Sequence, residues 1–485
     1  MDWLLLIEII YTLIVIAVCI HIIYETNNTA KTMAYILFAI FVPIAGIIFY
    51  FSFGINYRKR KMYSKKLIQN DILLEQLKDQ ISQYSKLNFE QRGQDFKDNR
   101  ELVYMLVKDT MSALTKGNQL ELLINGEKKF PQVLRDLEAA KHHIHIQYYI
   151  YEDDKIGQTI ENILIRKANE GVTVRFIYDD FGSHAITKKM VKRLKAGNVE
   201  VFPFQKIKFI LFANRINHRN HRKIIVIDGQ LAYVGGINVS DKYINPEEKS
   251  DKLYWRDTHL RIFGPGTHYL QYLFLCDWNF CAKTQLQPNL EFFPYSPSSV
   301  GPGEKMVQIA AGGPDSDSPT VLYTLLEAVS IAREELLITT PYYIPDESIQ
   351  QSLIMAGLGG IRVKLLVPGV SDSALVNAAA RAYYGDLLKA GVEIYLYQRG
   401  FVHAKTMVVD RKFAIVGTAN MDYRSFDLNF EVNAIVYDEP FAKELADVFM
   451  YDLQFAEKID ASTWFNRPGY HQLFEKVAKL VGPLL

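Results

Sequence analysis

Two runs of the chain carry side chains suited to phosphoryl chemistry at matching spacings. One reads His221-Arg222-Lys223-Ile224-Ile225-Val226-Ile227-Asp228, the other His403-Ala404-Lys405-Thr406-Met407-Val408-Val409-Asp410. In both, a glycine stands seven residues past the aspartate (Gly235, Gly417) and an asparagine ten past it (Asn238, Asn420). The apolar, largely β-branched run after each lysine predicts a strand. Residues i and i+2 share one strand face, so each histidine points with its lysine into one pocket. A lysine ammonium there neutralises phosphate oxygens. One histidine can attack phosphorus and form a phosphohistidine. The other can protonate the leaving alkoxide and deprotonate the incoming alcohol. Asn238 and Asn420, on the next strand or its end, can donate their amides to the same phosphate. Two lysines supply the positive charge, so this chemistry calls for no metal and no cofactor.

The candidate catalytic set is therefore His221, Lys223, Asp228, His403, Lys405 and Asp410. Its two aspartates fit turn or fold-holding positions better than pocket positions. Each lies five residues past its lysine, on the opposite face by alternation. Asp228 also precedes Gly229, a turn signal. Acids able to orient the histidines are expected on neighbouring strands. Asp257 and Glu431 occupy comparable places downstream of the two motifs, and the expectation is Asp257 on His221 and Glu431 on His403. His218 has Asn220 where a lysine would be needed, so it is expected behind the site or on the surface. His142, His143 and His145 have no cysteine nearby and Glu138 as nearest acid, a poor set for a metal.

These motifs sit in a duplicated unit. Tyr148-Tyr149-Ile150 matches Tyr342-Tyr343-Ile344, the run 171–177 matches 360–366, and Leu194-Lys195-Ala196-Gly197 matches Leu388-Lys389-Ala390-Gly391. The order holds while the offset varies, as expected of a repeat with loops of different length. Short β-branched runs alternate with helical patterns, which argues an α/β layer fold in each copy. Two such α/β/α units, facing each other, form one pseudo-twofold site. The expected divisions are 1–56 a transmembrane helical hairpin, 57–115 a polar helical connector, 116–285 the first unit, 286–313 a proline-rich linker, and 314–485 the second unit with a packed C-terminal helix.

The hairpin rests on two apolar stretches, Trp3 to Tyr24 and Met33 to Phe53, each near the length that spans a bilayer. Arg58-Lys59-Arg60-Lys61 and Lys65-Lys66 follow, against one lysine, Lys31, in the connection. The positive-inside rule then sets both Met1 and the catalytic units in the cytoplasm. The start Met1-Asp2-Trp3 lacks the basic region of a cleaved signal peptide. Three cysteines show no disulfide pattern. With 55 basic and 54 acidic side chains, the chain lacks the basic excess of a nucleic-acid binder.

Together these residues resemble the phospholipase D superfamily and, within it, the bacterial cardiolipin synthases. The resemblance runs over essentially the whole chain. It includes Phe41-Val42-Pro43, Trp255-Arg256-Asp257, Asp277-Trp278, and the stretch from Gly417 through Asn420-Met421-Asp422-Tyr423-Arg424-Ser425-Phe426 to Glu431. The family often has serine after the motif glycine, where this chain has Gly236 and Thr418. The resemblance implies phosphatidyl transfer from one phosphatidylglycerol to another, giving cardiolipin and glycerol, with His221 as nucleophile and His403 as acid and base. Partners it implies are phosphatidylglycerol and anionic membrane lipid. Basic residues between Lys206 and Lys223 around Phe209-Ile210-Leu211-Phe212 suit such a surface. The main rival is a membrane-bound phospholipase D that hydrolyses lipid to phosphatidic acid. The sequence leaves the acceptor range and the oligomeric state open.

Overall fold

In the strand Ile224–Ile227, Ile225 and Ile227 enter one apolar cluster while Ile224 and Val226 enter another. Thr406–Val409 repeats this, with Met407 and Val409 on one side and Val408 on the other. A strand buried on both faces must lie inside a sheet covered on both sides. The computed structural model has that form. It describes residues 3–26, 29–51, 71–91, 94–205, 218–245, 253–282, 285–295, 301–371 and 373–482.

One sixteen-stranded sheet runs through both copies. Its two middle strands, Thr115–Ile124 and Lys305–Gly312, pair antiparallel. Outward from Thr115–Ile124 come Thr258–Phe263, Leu231–Gly235, Ile224–Ile227, His143–Tyr148, Thr173–Asp179 and Glu200–Phe204. Outward from Lys305–Gly312 come Asn429–Val436, Phe413–Gly417, Thr406–Val409, Glu335–Thr339, Arg362–Pro368 and Glu393–Tyr397. The two lists match strand for strand. Matching helices even share their caps: Asp154 and Asp346 accept a backbone N–H at the start of one pair, Thr187 and Ser373 at the start of the next. Helices such as Lys155–Asn169 and Ala374–Lys389 cover one face of the sheet. Thr267–Cys281 and Glu439–Leu453 cover the other, over a core shared by both copies.

Two expectations need correction and a third needs refinement. The linker expected over 286–313 contains the buried central strand Lys305–Gly312. Its Met306, Val307 and Ile309 are apolar, a pattern masked by the prolines before it. The connector expected over 57–115 is largely helical where described, but Arg100–Thr110 buries Leu102, Val103 and Leu106 in the core of the second unit. The C-terminal helix Gly469–Leu480 is packed as expected, but the face that packs holds Ala478 and Glu475, the latter on Arg381 and Arg467, while Leu473, Phe474 and Val477 are exposed.

At the N-terminus one described helix, Trp3–Glu25, is long and apolar enough to cross a membrane. The second apolar stretch is broken into Thr29–Phe41 and Pro43–Phe49. Pro43 has no N–H to donate back into the preceding turn, so the first segment ends there. Lys31 Nζ lies 5.3 Å from the centre of the Tyr423 ring, which brings the start of the second segment against the catalytic body. The basic cluster 58–66, the apolar tip 209–212 and Lys206 lie outside the described residues.

Candidate active site

His221 and His403 each enter the site from a short edge segment that pairs with the opposite copy. Arg219–Asn220 runs parallel to Asn429–Phe430, and the His221 N–H donates to the Phe430 carbonyl at 3.0 Å. Gly400–Val402 runs parallel to Tyr254–Arg256, and the His403 N–H donates to the Arg256 carbonyl at 2.7 Å. Each histidine therefore sits beside the residue that follows its partner carbonyl. Those residues are Glu431 and Asp257.

The carboxylates orient the histidines across the twofold. His221 Nδ1 lies 2.9 Å from both Glu431 oxygens, and His403 Nδ1 lies 2.7 Å from Asp257 Oδ2. This reverses the expected assignment. The acids are the right ones, but each serves the other copy's histidine, because the two edge segments cross between copies. Both acids are fully buried. With Nδ1 engaged, each ring directs Nε2 away from its acid.

Lys223 and Lys405 are buried beside them, and each Nζ donates to the carbonyl of its own motif histidine. Burial and the nearby lysines set the electrostatics. Burial pushes His221 down to about 4, with Glu431 opposing and Lys223 assisting. Burial, then Lys405 and Lys223, holds His403 well below the usual histidine range. Burial lowers Lys223 to about 7, with Lys405 assisting, and raises Asp257 to about 6. Glu431 is pushed up by burial, yet His221, Lys223 and Thr418 hold it below the usual carboxylate range. Burial thus favours neutral imidazoles beside the two lysines. A bound anion would raise the basicity of both histidines.

The motif aspartates lie elsewhere. Asp228 accepts the backbone N–H groups of Lys141, His142 and His143 at 2.8–2.9 Å. Asp410 accepts those of Arg333, Glu334 and Glu335 at 2.8 Å. Both have positive φ and clamp a turn to the start of a neighbouring strand. As catalytic residues they are therefore corrected to fold-holding ones. Asn238 and Asn420 are buried at the site, but part of each amide is already committed. Asn238 donates to Tyr243 Oη at 2.9 Å and Asn420 to Asp422 at 3.0 Å. Each keeps a second amide hydrogen beyond that bond.

Several residues at the site had no role assigned from the sequence, although Trp255, Arg256 and Asp277 fall in runs that carry the family resemblance. The Tyr149 ring meets His221 edge-on at 4.8 Å, and the Trp255 and Phe401 rings lie 5.7 and 5.9 Å from His403. Arg222 binds Asp277 at 2.8 Å and Arg256 binds Asp452 at 2.8 Å, buried ion pairs that pin the two edge segments from behind. The repeat offers a clue only to Tyr149, which falls in a matched triplet. His218 is buried, not at the surface, and burial lowers it to about 3. His143 and His145 share Gln271, and His145 stacks on Phe274 at 4.4 Å.

Comparison with known proteins follows the same lines. A family model described as "Cardiolipin synthase, PLD-like domain" matches residues 133–251 and 325–453, and one described as "Phospholipase_D-nuclease N-terminal" matches 13–54. The chain is 39% identical over 484 residues to the major cardiolipin synthase ClsA of Bacillus subtilis (strain 168), covering 99% of each. It is 38% identical to a cardiolipin synthase of Alkalihalophilus pseudofirmus, covering 99% of this chain and 93% of that one. Among solved structures, phosphatidylserine synthase of Haemophilus influenzae Rd KW20 superposes with a TM-score of 0.55 at 16% identity, over 76% of this chain and 95% of that one, a likeness of fold.

Proposed function

The chain belongs to the cardiolipin synthase family of phospholipase D-like enzymes, and from that premise we propose that it joins two phosphatidylglycerol molecules into cardiolipin through a phosphohistidine on His221. It is a phosphatidyltransferase by that membership. In the proposed first step His221 Nε2 attacks the phosphorus of one phosphatidylglycerol. The bond to the glycerol headgroup breaks, and His403, protonated on binding of the anionic lipid, gives its Nε2 proton to the departing oxygen. In the second step a hydroxyl of the next phosphatidylglycerol attacks that phosphorus. His403 takes the hydroxyl proton, the P–N bond breaks, and His221 is regenerated. Lys223 and Lys405 hold the equatorial oxygens through both steps.

The observation that carries this proposal is the reciprocal pair His221–Glu431 and His403–Asp257 over two buried lysines. Assignment of the nucleophile is supported by the difference between the two acids. Glu431 is held ionised beside His221, which enriches the Nε2 lone pair; Asp257 is pushed up, which suits a histidine that must exchange its proton. Transfer over hydrolysis is supported by burial, since each motif histidine is only 8% exposed. Purified protein in detergent with phosphatidylglycerol should release glycerol and form cardiolipin. Phosphatidic acid as the sole lipid product would replace this proposal with the hydrolase.

The protein acts, on this proposal, at the cytoplasmic face of the cell membrane. Trp3–Glu25 supplies a crossing helix, and the composition of the basic run after residue 57 suits anionic headgroups. A hairpin of two crossings would put Lys31 on the far side of the bilayer. The Lys31–Tyr423 contact favours a single crossing with the connection on the side of the body. A cysteine at Lys31 labelled only from the cytoplasmic side would agree; labelling from outside would restore the hairpin.

A further inference from the structure

Arg219 is buried to 2% exposure, and its Nε, Nη1 and Nη2 have no hydrogen-bond partner. Its nearest carboxylate oxygen, Asp179 Oδ1, is 3.9 Å away. Asp179 is already engaged by the backbone N–H groups of Phe181, Gly182 and Asn220 at 2.9–3.0 Å. The guanidinium lies 4.7 Å from the Phe181 ring, which shields it and accepts no hydrogen bond in the plane of the fork. A buried cation with its donors unmet is costly and calls for an absent acceptor. A guanidinium fork matches the paired oxygens of a phosphodiester.

The position fixes which phosphate. Arg219 stands two residues before His221 on the same short segment, hence on the same side of it. Arg424, four residues past Asn420, is close enough to depress both Arg219 and His218. The other copy is built differently. Phe401 stands at the place of Arg219, and Lys242 stands at the place of Arg424 with its Nζ 4.3 Å from the Trp255 ring. The His221 side therefore carries a guanidinium where the His403 side carries Phe401, and the lysine on the His403 side lies over the Trp255 ring. A donor phosphatidylglycerol carries one phosphate, and that one reacts between the lysines. The acceptor carries a second phosphate, one glycerol bridge from the hydroxyl that attacks. Hydrolysis has no such group to hold.

We propose that Arg219, with Arg424, forms a second phosphate subsite that holds the phosphodiester of the acceptor lipid. The subsite rests on the cardiolipin synthase reaction set out above and gives that reaction its preference for a lipid acceptor. The test uses the full chain in detergent micelles, with phosphatidylglycerol as donor and either phosphatidylglycerol or ethanol as acceptor. Arg219→Gln should lower cardiolipin formation about tenfold or more while transfer to ethanol stays within about twofold. Arg424→Gln should show the same split, and Arg219→Lys should recover part of it. Inorganic phosphate that inhibits cardiolipin formation but not transfer to ethanol would mark a subsite open to any phosphate; no inhibition, with the split intact, would confine it to the lipid form. An equal fall with both acceptors in Arg219→Gln and Arg424→Gln, or no fall in either, overturns the subsite. Wild-type protein that makes no cardiolipin at all would refute the reaction itself, a separate result read in the absence of any variant.

Discussion

His221 Nδ1 and the Glu431 carboxylate meet at 2.9 Å across 210 residues of sequence, and His403 and Asp257 repeat the meeting in the opposite direction. Neither copy can orient its own histidine. The unit of function is the pair, which gives a physical reason for the two copies to share one sheet and one core.

The crossed pairs predict separable defects. Glu431→Gln keeps the shape but replaces an ionised acceptor with a neutral amide, which no longer stabilises positive charge on His221. Cardiolipin formation should fall at least about a hundredfold, and the radiolabelled phosphatidyl adduct on His221 should disappear. Asp257→Asn should slow turnover comparably, with the adduct forming more slowly but still on His221, because His403 acts in both steps. Adduct on His403 in either variant would reverse the roles of the two histidines.

The pH dependence follows from the buried groups. His221, lowered by burial to about 4, must be neutral to attack, and Lys223, lowered by burial to about 7, must be charged to hold phosphate. kcat/KM should rise through pH about 4 and decline above about 7, the two limbs reporting the free enzyme. Lys223→Arg stays charged throughout, so its alkaline limb should vanish even if its rate is lower. Persistence of that limb would assign it to another group.

The buried histidines give stability a direction with pH, opposed in part by Asp257 and Asp315, which burial raises to about 6. Burial holds His143, His221 and His268 near 4 and His218 near 3, below the ordinary value of 6.5. Below pH 6.5 the unfolded chain therefore binds protons that the folded chain refuses. The stability contributed by these neutral histidines is present above about 6.5 and is lost progressively towards 4. Urea midpoints measured across that window should fall steadily; a flat profile would mean that these rings are not buried and neutral.

Asp228→Ala and Asp410→Ala test the corrected role of the motif aspartates. Each change removes the acceptor of three backbone N–H groups, of which one is part-buried and two reach solvent, and should destabilise the fold by about 1–2 kcal/mol. kcat/KM per folded molecule should change by no more than about threefold, as for a change remote from the chemistry. A catalytic collapse at unchanged stability would return these residues to the pocket.

The residues after the motif glycines explain a small asymmetry. Thr418 donates its hydroxyl to Glu431, whereas a side-chain carbon on Gly236 would meet Asp257 Oδ1 at 2.1 Å. Gly236→Ala should therefore displace Asp257 from His403 and mimic Asp257→Asn in rate, with the fold retained by circular dichroism. Thr418→Val should cost about tenfold and Thr418→Ser much less, because only the hydroxyl contact matters.

The sequence by itself determined the duplication, the α/β character and the identity of the reactive side chains. These are local or repeated signals: alternation along a strand, the spacing His-x-Lys, and a glycine and asparagine at fixed distances. The same alternation marked Asp228 and Asp410 as turn residues, since period two is a property of any strand. Tertiary structure alone decided how the copies exchange their acids. Asp257 and Glu431 could be named from position, but their assignment depends on which edge each histidine segment joins, a choice made by strand pairing between residues some 150 to 210 apart. It also decided that Lys305–Gly312 is a central strand, because burial on both sides comes from elements distant in sequence. And it decided that Arg219, one basic residue among many in the chain, is enclosed beside His221 with its donors unmet. Charge is written in the sequence; desolvation is a property of the packed fold.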